Sequence, residues 1–192
     1  MLTMNFDLKS SGPILFGKKI MSEKSTGEAH DAFEKRSWRE RVHVNNDGYI
    51  YLPACALKRT LENVAQYLSE TVPGKGKATY TKHFKAGIMV IEDILILPKT
   101  KPSELQGLWL CVPSDGRRGG TTRVDRCFPV ITEWTAKASI ILLDPILIDK
   151  PEKVQEYINH AGKFIGLMSM RPQNGGSFGR FSADNFKTKN TV

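Results

Sequence analysis

An α+β domain is predicted on three observations. Leu2, Met4, Phe6 and Leu8 alternate with Thr3, Asn5, Asp7 and Lys9, the period of two of a strand with one buried and one wet face. Leu57, Leu61, Val64, Ala65 and Leu68 recur at helical spacing, and so do Val154, Tyr157, Ile158, Ala161, Phe164 and Ile165. Around these two helices lie short apolar runs of strand length, separated by Gly, Pro, Asn and Asp.

In chain order, the opening strand is broken by Ser10, Ser11, Gly12 and Pro13. From Lys18 to Arg41 comes a polar segment read as a mobile insertion, in which Phe33 and Trp38 are either its anchor or side chains offered to a ligand. Asp47-Gly48 is a hairpin turn between Val42 to Val44 and Tyr49 to Leu52. Pro53 opens the first long helix. Pro73 to Lys85, with Lys75, Lys77, Lys82, Lys85, Gly74 and Gly76, reads as a flexible loop. Strands follow at Ile88 to Leu97, Gly107 to Val112, Asp125 to Ile131 and Thr135 to Leu143, with an extended basic loop at about 113–126. The second long helix has Asp149 as its expected cap and closes near Gly166. A glycine-rich turn and a last strand near Arg180 to Phe186 complete the chain. This order suggests a ferredoxin-like (RRM-like) βαββαβ core, elaborated with extra strands and long insertions. Both helices would cover one sheet face, leaving the other for a ligand.

With 192 residues, 40% hydrophobic and 25% charged, the chain is long enough for one domain that buries roughly 70% of its unfolded surface. The balance of 28 basic and 20 acidic residues leaves a net charge of +8, which excludes a disordered polycation. Cys55, Cys111 and Cys127 form no CxxC and lie near no histidine pair, so neither a disulfide framework nor a zinc ribbon is expected, and the default setting is the reducing cytoplasm. No apolar run reaches the ~20 residues of a spanning helix, and residues 1–9 read as neither signal nor transit peptide.

Three places carry candidate chemistry. The turn from Arg171 to Arg180 holds Gly175, Gly176 and Gly179, whose backbone could approach a phosphate closely and donate to it; the other reading is a tight turn. Arg117, Arg118, Arg123 and Arg126 stand in the extended loop, where guanidinium forks would grip phosphates, and the Lys-rich loop is either a second such contact or a solvated surface. Lys58 and Arg59 lie at the start of a helix, where cations oppose the macrodipole unless an anion is near; the alternative is plain solvation. No phosphate-loop motif occurs, so nucleotide hydrolysis has no support. His30, His43, His83 and His160 form no metal-binding pair, and Asp93, Asp144 and Cys55 have no visible chemical partner. No catalytic residue, metal or cofactor is therefore assigned, although His30 could serve as a metal-independent ribonuclease base.

Two segments resemble the RAMP superfamily, the repeat-associated proteins of CRISPR effector complexes. The run Leu52-Pro53-Ala54-Cys55-Ala56-Leu57-Lys58 is similar to the family's strand-to-helix pattern, with Ala54 replacing a glycine and Cys55-Ala56 two serines. Gly175, Gly176, Phe178 and Gly179 resemble its glycine-rich loop before the last strand, at different spacing. The order of elements agrees over almost the whole chain. The resemblance implies a non-enzymatic subunit that multimerises along single-stranded guide RNA, or single-stranded DNA, and binds copies of itself and other effector subunits. It implies that Lys58, Arg59 and the turn from Arg171 to Arg180 face phosphates, and that residues 18–41 and the loop from Arg117 to Arg126 reach a neighbouring subunit. Two alternatives accompany it: a compact viral or mobile-element homologue that joins or inhibits a host complex through protein contacts, and a metal-independent repeat-RNA endoribonuclease using His30 or His43.

Overall fold

A computed structural model of the chain describes residues 1–114 and 121–190. The strands are β1 (Leu2–Ser10), β2 (Ile14–Leu15), β3 (His43–Val44), β4 (Ile50–Leu52), β5 (Ile88–Met89), β6 (Ile94–Leu97), β7 (Gln106–Pro113), β8 (Arg123–Ile131), β9 (Thr135–Leu142) and β10 (Phe181–Asn190). The helices are α1 (His30–Ser37), α2 (Ala54–Leu68), α3 (Thr81–Gly87), α4 (Pro145–Ile148) and α5 (Pro151–His160), the last running into a π-helical turn at Ala161–Ile165.

The main sheet is antiparallel in the order β10-β1-β9-β6-β4-β3, with β5 on the far end of β9. Its β10-β1-β9-β6 part, with α2 between β1 and β6 and α5 between β9 and β10, is the split βαββαβ core that the sequence predicts. The α+β fold class therefore holds. Alternation in β1 places Leu2, Met4, Phe6 and Leu8 against the helices. Leu57, Leu61, Val64 and Ala65 of α2 and Val154, Tyr157 and Ile158 of α5 meet them there. Phe84 of α3 stacks on Tyr157 at 4.6 Å between ring centroids.

Several expectations change. The run Ile88 to Leu97 is two strands, because the chain bends at Glu92, and the carboxylate of Asp93 just after the bend accepts the Ala54 N–H at 2.8 Å and caps α2. The second half of the lysine-rich loop is α3, which buries His83 and Phe84 while Lys82 and Lys85 face outward. The sheet face opposite the helices carries Asn5 and Asp7 of β1 and Lys137 and Ser139 of β9, a mixed-charge surface without aromatic rings on these central strands. It is not the stacking platform of an RNA-recognition domain.

The segment 18–41 is likewise not a loose insertion throughout. From His30 it forms α1 and a 3₁₀ turn, Trp38–Arg41, docked by buried charges: Arg41 Nη2 donates to both Glu34 carboxylate oxygens, at 2.8 and 2.9 Å. The preceding stretch is tied to α1 by Arg36, which donates to Glu28 and to the Glu23 carbonyl. The Arg36 hydrogen bond, with the Ser25 N–H, lowers the Glu28 pKa to about 2. A carboxylate depressed in the folded state stabilises above its ordinary pKa, and that contribution is lost as pH falls toward the folded value. Glu28 is thus expected to titrate near 2 in carboxyl-detected NMR, and Arg36→Ala to raise it toward the ordinary range; an ordinary Glu28 in the parent protein would refute this tether.

Candidate nucleic-acid interface

The predicted site residues lie in three places. The first is a groove of about 760 Å³ running from His43 and Tyr51, across the start of α2 at Pro53 and Cys55, past Lys58 and Arg59, to Met168, Arg171 and Asn174. Hairpin β3–β4 supplies the aromatic end, the caging of Ala54 by Asp93 fixes the helix start, and the chain after the π turn brings in Arg171.

Arg59 and Arg171 form no ion pair among the described residues. Burial, and then the like charge of Arg59, lower the Arg171 pKa, and its Nε is buried without a hydrogen-bond partner among the described residues. Two guanidiniums in one groove repel each other until an anion lies between them. Lys58 takes a different role from the one expected: its Nζ donates to the carbonyls of Phe84 and Lys85 at 2.7 and 2.8 Å, closing the end of α3, and lies 3.2 Å from Glu62. His43 tilts against Tyr51 at 5.6 Å, and burial, followed by the charge of Lys18, lowers its pKa against the opposing pull of Asp93.

The glycine-rich turn builds this groove without offering amides to it. Gly175, Gly176 and Gly179 donate their N–H groups to the carbonyls of Pro172, Arg171 and Pro13. The need for glycine is close backbone approach: a Cβ at Gly176 would lie 1.8 Å from the Met170 oxygen, and one at Gly179 2.0 Å from the Leu167 oxygen. Met168 and Met170, opposite them, hold left-handed backbone at φ 62° and 49°. The expectation of phosphate-binding glycine amides is corrected accordingly.

In the second place, Arg123 and Arg126 belong to strand β8, not to a loop, and line a cavity of about 870 Å³ with His30, Phe33, Asp31 and Asp125. Arg123 donates to the Cys111 carbonyl and Arg126 to that of Ser114, and Asp31, Glu34 and Asp125 offset most of the cavity's positive charge. Arg117 and Arg118 lie outside the described residues. His30 is exposed at the first residue of α1, next to Asp31. In the third, Arg180 donates to the Lys163 carbonyl beside the π turn, so Lys58, Arg123 and Arg180 do not share one cavity. Residues that sequence reasoning passed over are Tyr51, Met168 and Asn174 of the groove; no local pattern marks them.

A split βαββαβ sheet backed by two helices, with a long hairpin inserted between its middle strands, is a ferredoxin-like α+β fold. The chain is similar to a chain in the cryo-EM structure of the Type III-B Cmr-beta bound to cognate target RNA, with a TM-score of 0.57 and 8% identity over 100% of this chain; it spans 61% of that chain. It is also similar to Cmr6 from Pyrococcus furiosus, with a TM-score of 0.52 and 12% identity, covering 96% of this chain and 99% of that one. No family model and no curated protein matches the sequence. Among the described residues, no helix is long and apolar enough to cross a membrane.

Proposed function

We propose that the chain is a non-enzymatic, RNA-binding subunit of a CRISPR-type ribonucleoprotein, holding single-stranded guide RNA by its phosphates and multimerising with copies of itself and other subunits along it. The observation that carries this reading is the pair Arg59 and Arg171, free of ion pairs among the described residues and facing one groove. Guanidinium pairs of this kind fit the two non-bridging oxygens of a phosphate held between them, and such contacts grip without reading sequence. The likeness in fold to subunits of Cmr assemblies, one of them bound to target RNA, supports the same reading.

Affinity for a short oligouridylate is expected to fall as salt rises, with a log–log slope set by the number of phosphates neutralised. Arg59→Ala and Arg171→Ala should each reduce that slope by about 1 and weaken binding alike for every sequence. Salt-independent binding, or no binding, would overturn the reading; an equal affinity for oligodeoxyuridylate would widen the ligand to single-stranded DNA. His43, half-buried beside Tyr51 in the same groove with its pKa lowered, favours a second reading as a metal-independent endoribonuclease. RNA recovered intact from the complex supports the first reading, whereas metal-free cleavage lost in His43→Ala would assign the second.

A further inference from the structure

We propose that Tyr67 and Phe164 form a shelf that stacks an unpaired nucleobase of the strand held by the Arg59–Arg171 groove; this rests on the phosphate-binding reading of that groove. Tyr67, on the last turn of α2, is 63% exposed, and its ring lies 5.5 Å from that of Phe164 in the π turn, the planes 30° apart. The His160 ring continues the surface at 5.7 Å from Phe164. Lys163 Nζ sits 5.5 Å from the Phe164 centroid, and Arg180 is anchored on the Lys163 carbonyl.

The shelf is joined to the groove by helix geometry. Arg59, Asn63 and Tyr67 recur every four residues on α2, so they stand side by side along one flank. That flank faces the chain from the π turn to the glycine-rich turn: Thr60 Oγ1 donates to the Gly166 carbonyl and Asn63 Nδ2 to Gln173 Oε1 at 2.9 Å. From Arg59 to Tyr67 the rise is about 12 Å, against ~3.4 Å between stacked nucleotides, which leaves room for more than one nucleotide between phosphate grip and shelf.

The charges complement a nucleic-acid strand. Arg59 and Arg171 lie at one end and Lys163 and Arg180 at the other, while the nearby carboxylates are already matched, Glu62 by Lys58 and Glu70 and Glu156 by Lys153. An exposed tyrosine braced by a half-buried phenylalanine between cations is the arrangement that single-strand binders use, since every base presents a face to stack and the cations track the backbone.

The test uses a short single-stranded oligoadenylate carrying one 2-aminopurine, with the full chain. Tyr67→Ala is expected to weaken binding about 5- to 150-fold and to abolish the fluorescence quenching seen with the parent protein, while leaving the salt slope unchanged. Tyr67→Phe, which keeps the ring, should restore both. Parent-like affinity and quenching in Tyr67→Ala, with Arg171→Ala still impaired, would overturn the shelf and leave the groove standing. Absence of RNA binding by the parent protein would overturn both. Self-association that is independent of RNA and lost in Tyr67→Ala would assign the surface to a protein contact instead.

Discussion

Glu34→Ala is expected to lower the melting temperature by roughly 6–20 °C, from a cost of about 3–5 kcal/mol for breaking one side of a buried ion pair and 2–4 °C per kcal/mol in a chain of this size. Glu34 and Arg41 are each 7% exposed. Beyond the two bonds from Arg41 Nη2, Glu34 Oε1 accepts the Cys127 N–H at 2.9 Å, and Arg41 Nε donates to the Cys127 carbonyl at 3.2 Å. Arg41 also lies 5.3 Å from the centre of the Phe128 ring. Removing the carboxylate leaves a guanidinium without a counter-charge and a buried amide without an acceptor, and both penalties fall on the contact that fastens α1 to β8. The double variant Glu34→Leu/Arg41→Met, which removes both charges, should recover most of the loss in calorimetry. A single variant that melts with the parent protein would show that the pair is not what docks α1.

Gly179→Ala is expected to cost about 2 kcal/mol or more and to impair RNA binding as well. Two penalties combine: left-handed backbone at φ +74°, unfavourable for a residue with a Cβ, and a Cβ placed 2.0 Å from the Leu167 carbonyl oxygen. The Leu167 carbonyl cannot yield easily, because the Leu167 N–H is itself bonded to the Gly179 carbonyl, and the Gly179 N–H to that of Pro13. Any displacement reaches Met168, Met170 and Arg171, and so opens the groove. Gly12→Ala is the control: a Cβ there meets nothing within 4 Å, and no positive φ is involved, so stability should be unchanged or slightly raised. Equal melting temperatures for the two variants would refute the close-approach account of the turn.

Much of the architecture is legible in the sequence, and the parts that are not share a cause. β1, α2 and α5 announce themselves because an apolar stripe is a property of neighbouring residues. The 3₁₀ turn and α1 do so only through Trp38, one of the two anchor candidates, which is buried in the core; the other side chains that dock them are Glu34, Ser37 and Arg41, residue types that hydropathy assigns to the surface. In α3 the buried His83 and Phe84 stand between Lys82 and Lys85, and the lysines mask them. The glycine-rich turn is placed correctly by sequence but for a different physical purpose: its glycines admit another backbone segment, and their amides are already bonded.

The candidate interface shows the same division. Lys58 and Arg59 are adjacent in sequence, look equivalent and line the same groove, yet the turn of α2 ties the Lys58 ammonium to the carbonyls closing α3 and to Glu62 and leaves Arg59 without an ion pair among the described residues. Arg171 becomes its partner only because the chain crosses back after the π turn, and Arg180, flanking the same glycines, ends beside Lys163 instead. Sequence alone thus determined the strand and helix order, the α+β class and the positions where cations and glycines gather. The tertiary structure alone decided which cations meet and which are neutralised, because periodicity is written between residues a few positions apart, whereas charge neighbours are made by chain crossings that no local pattern encodes.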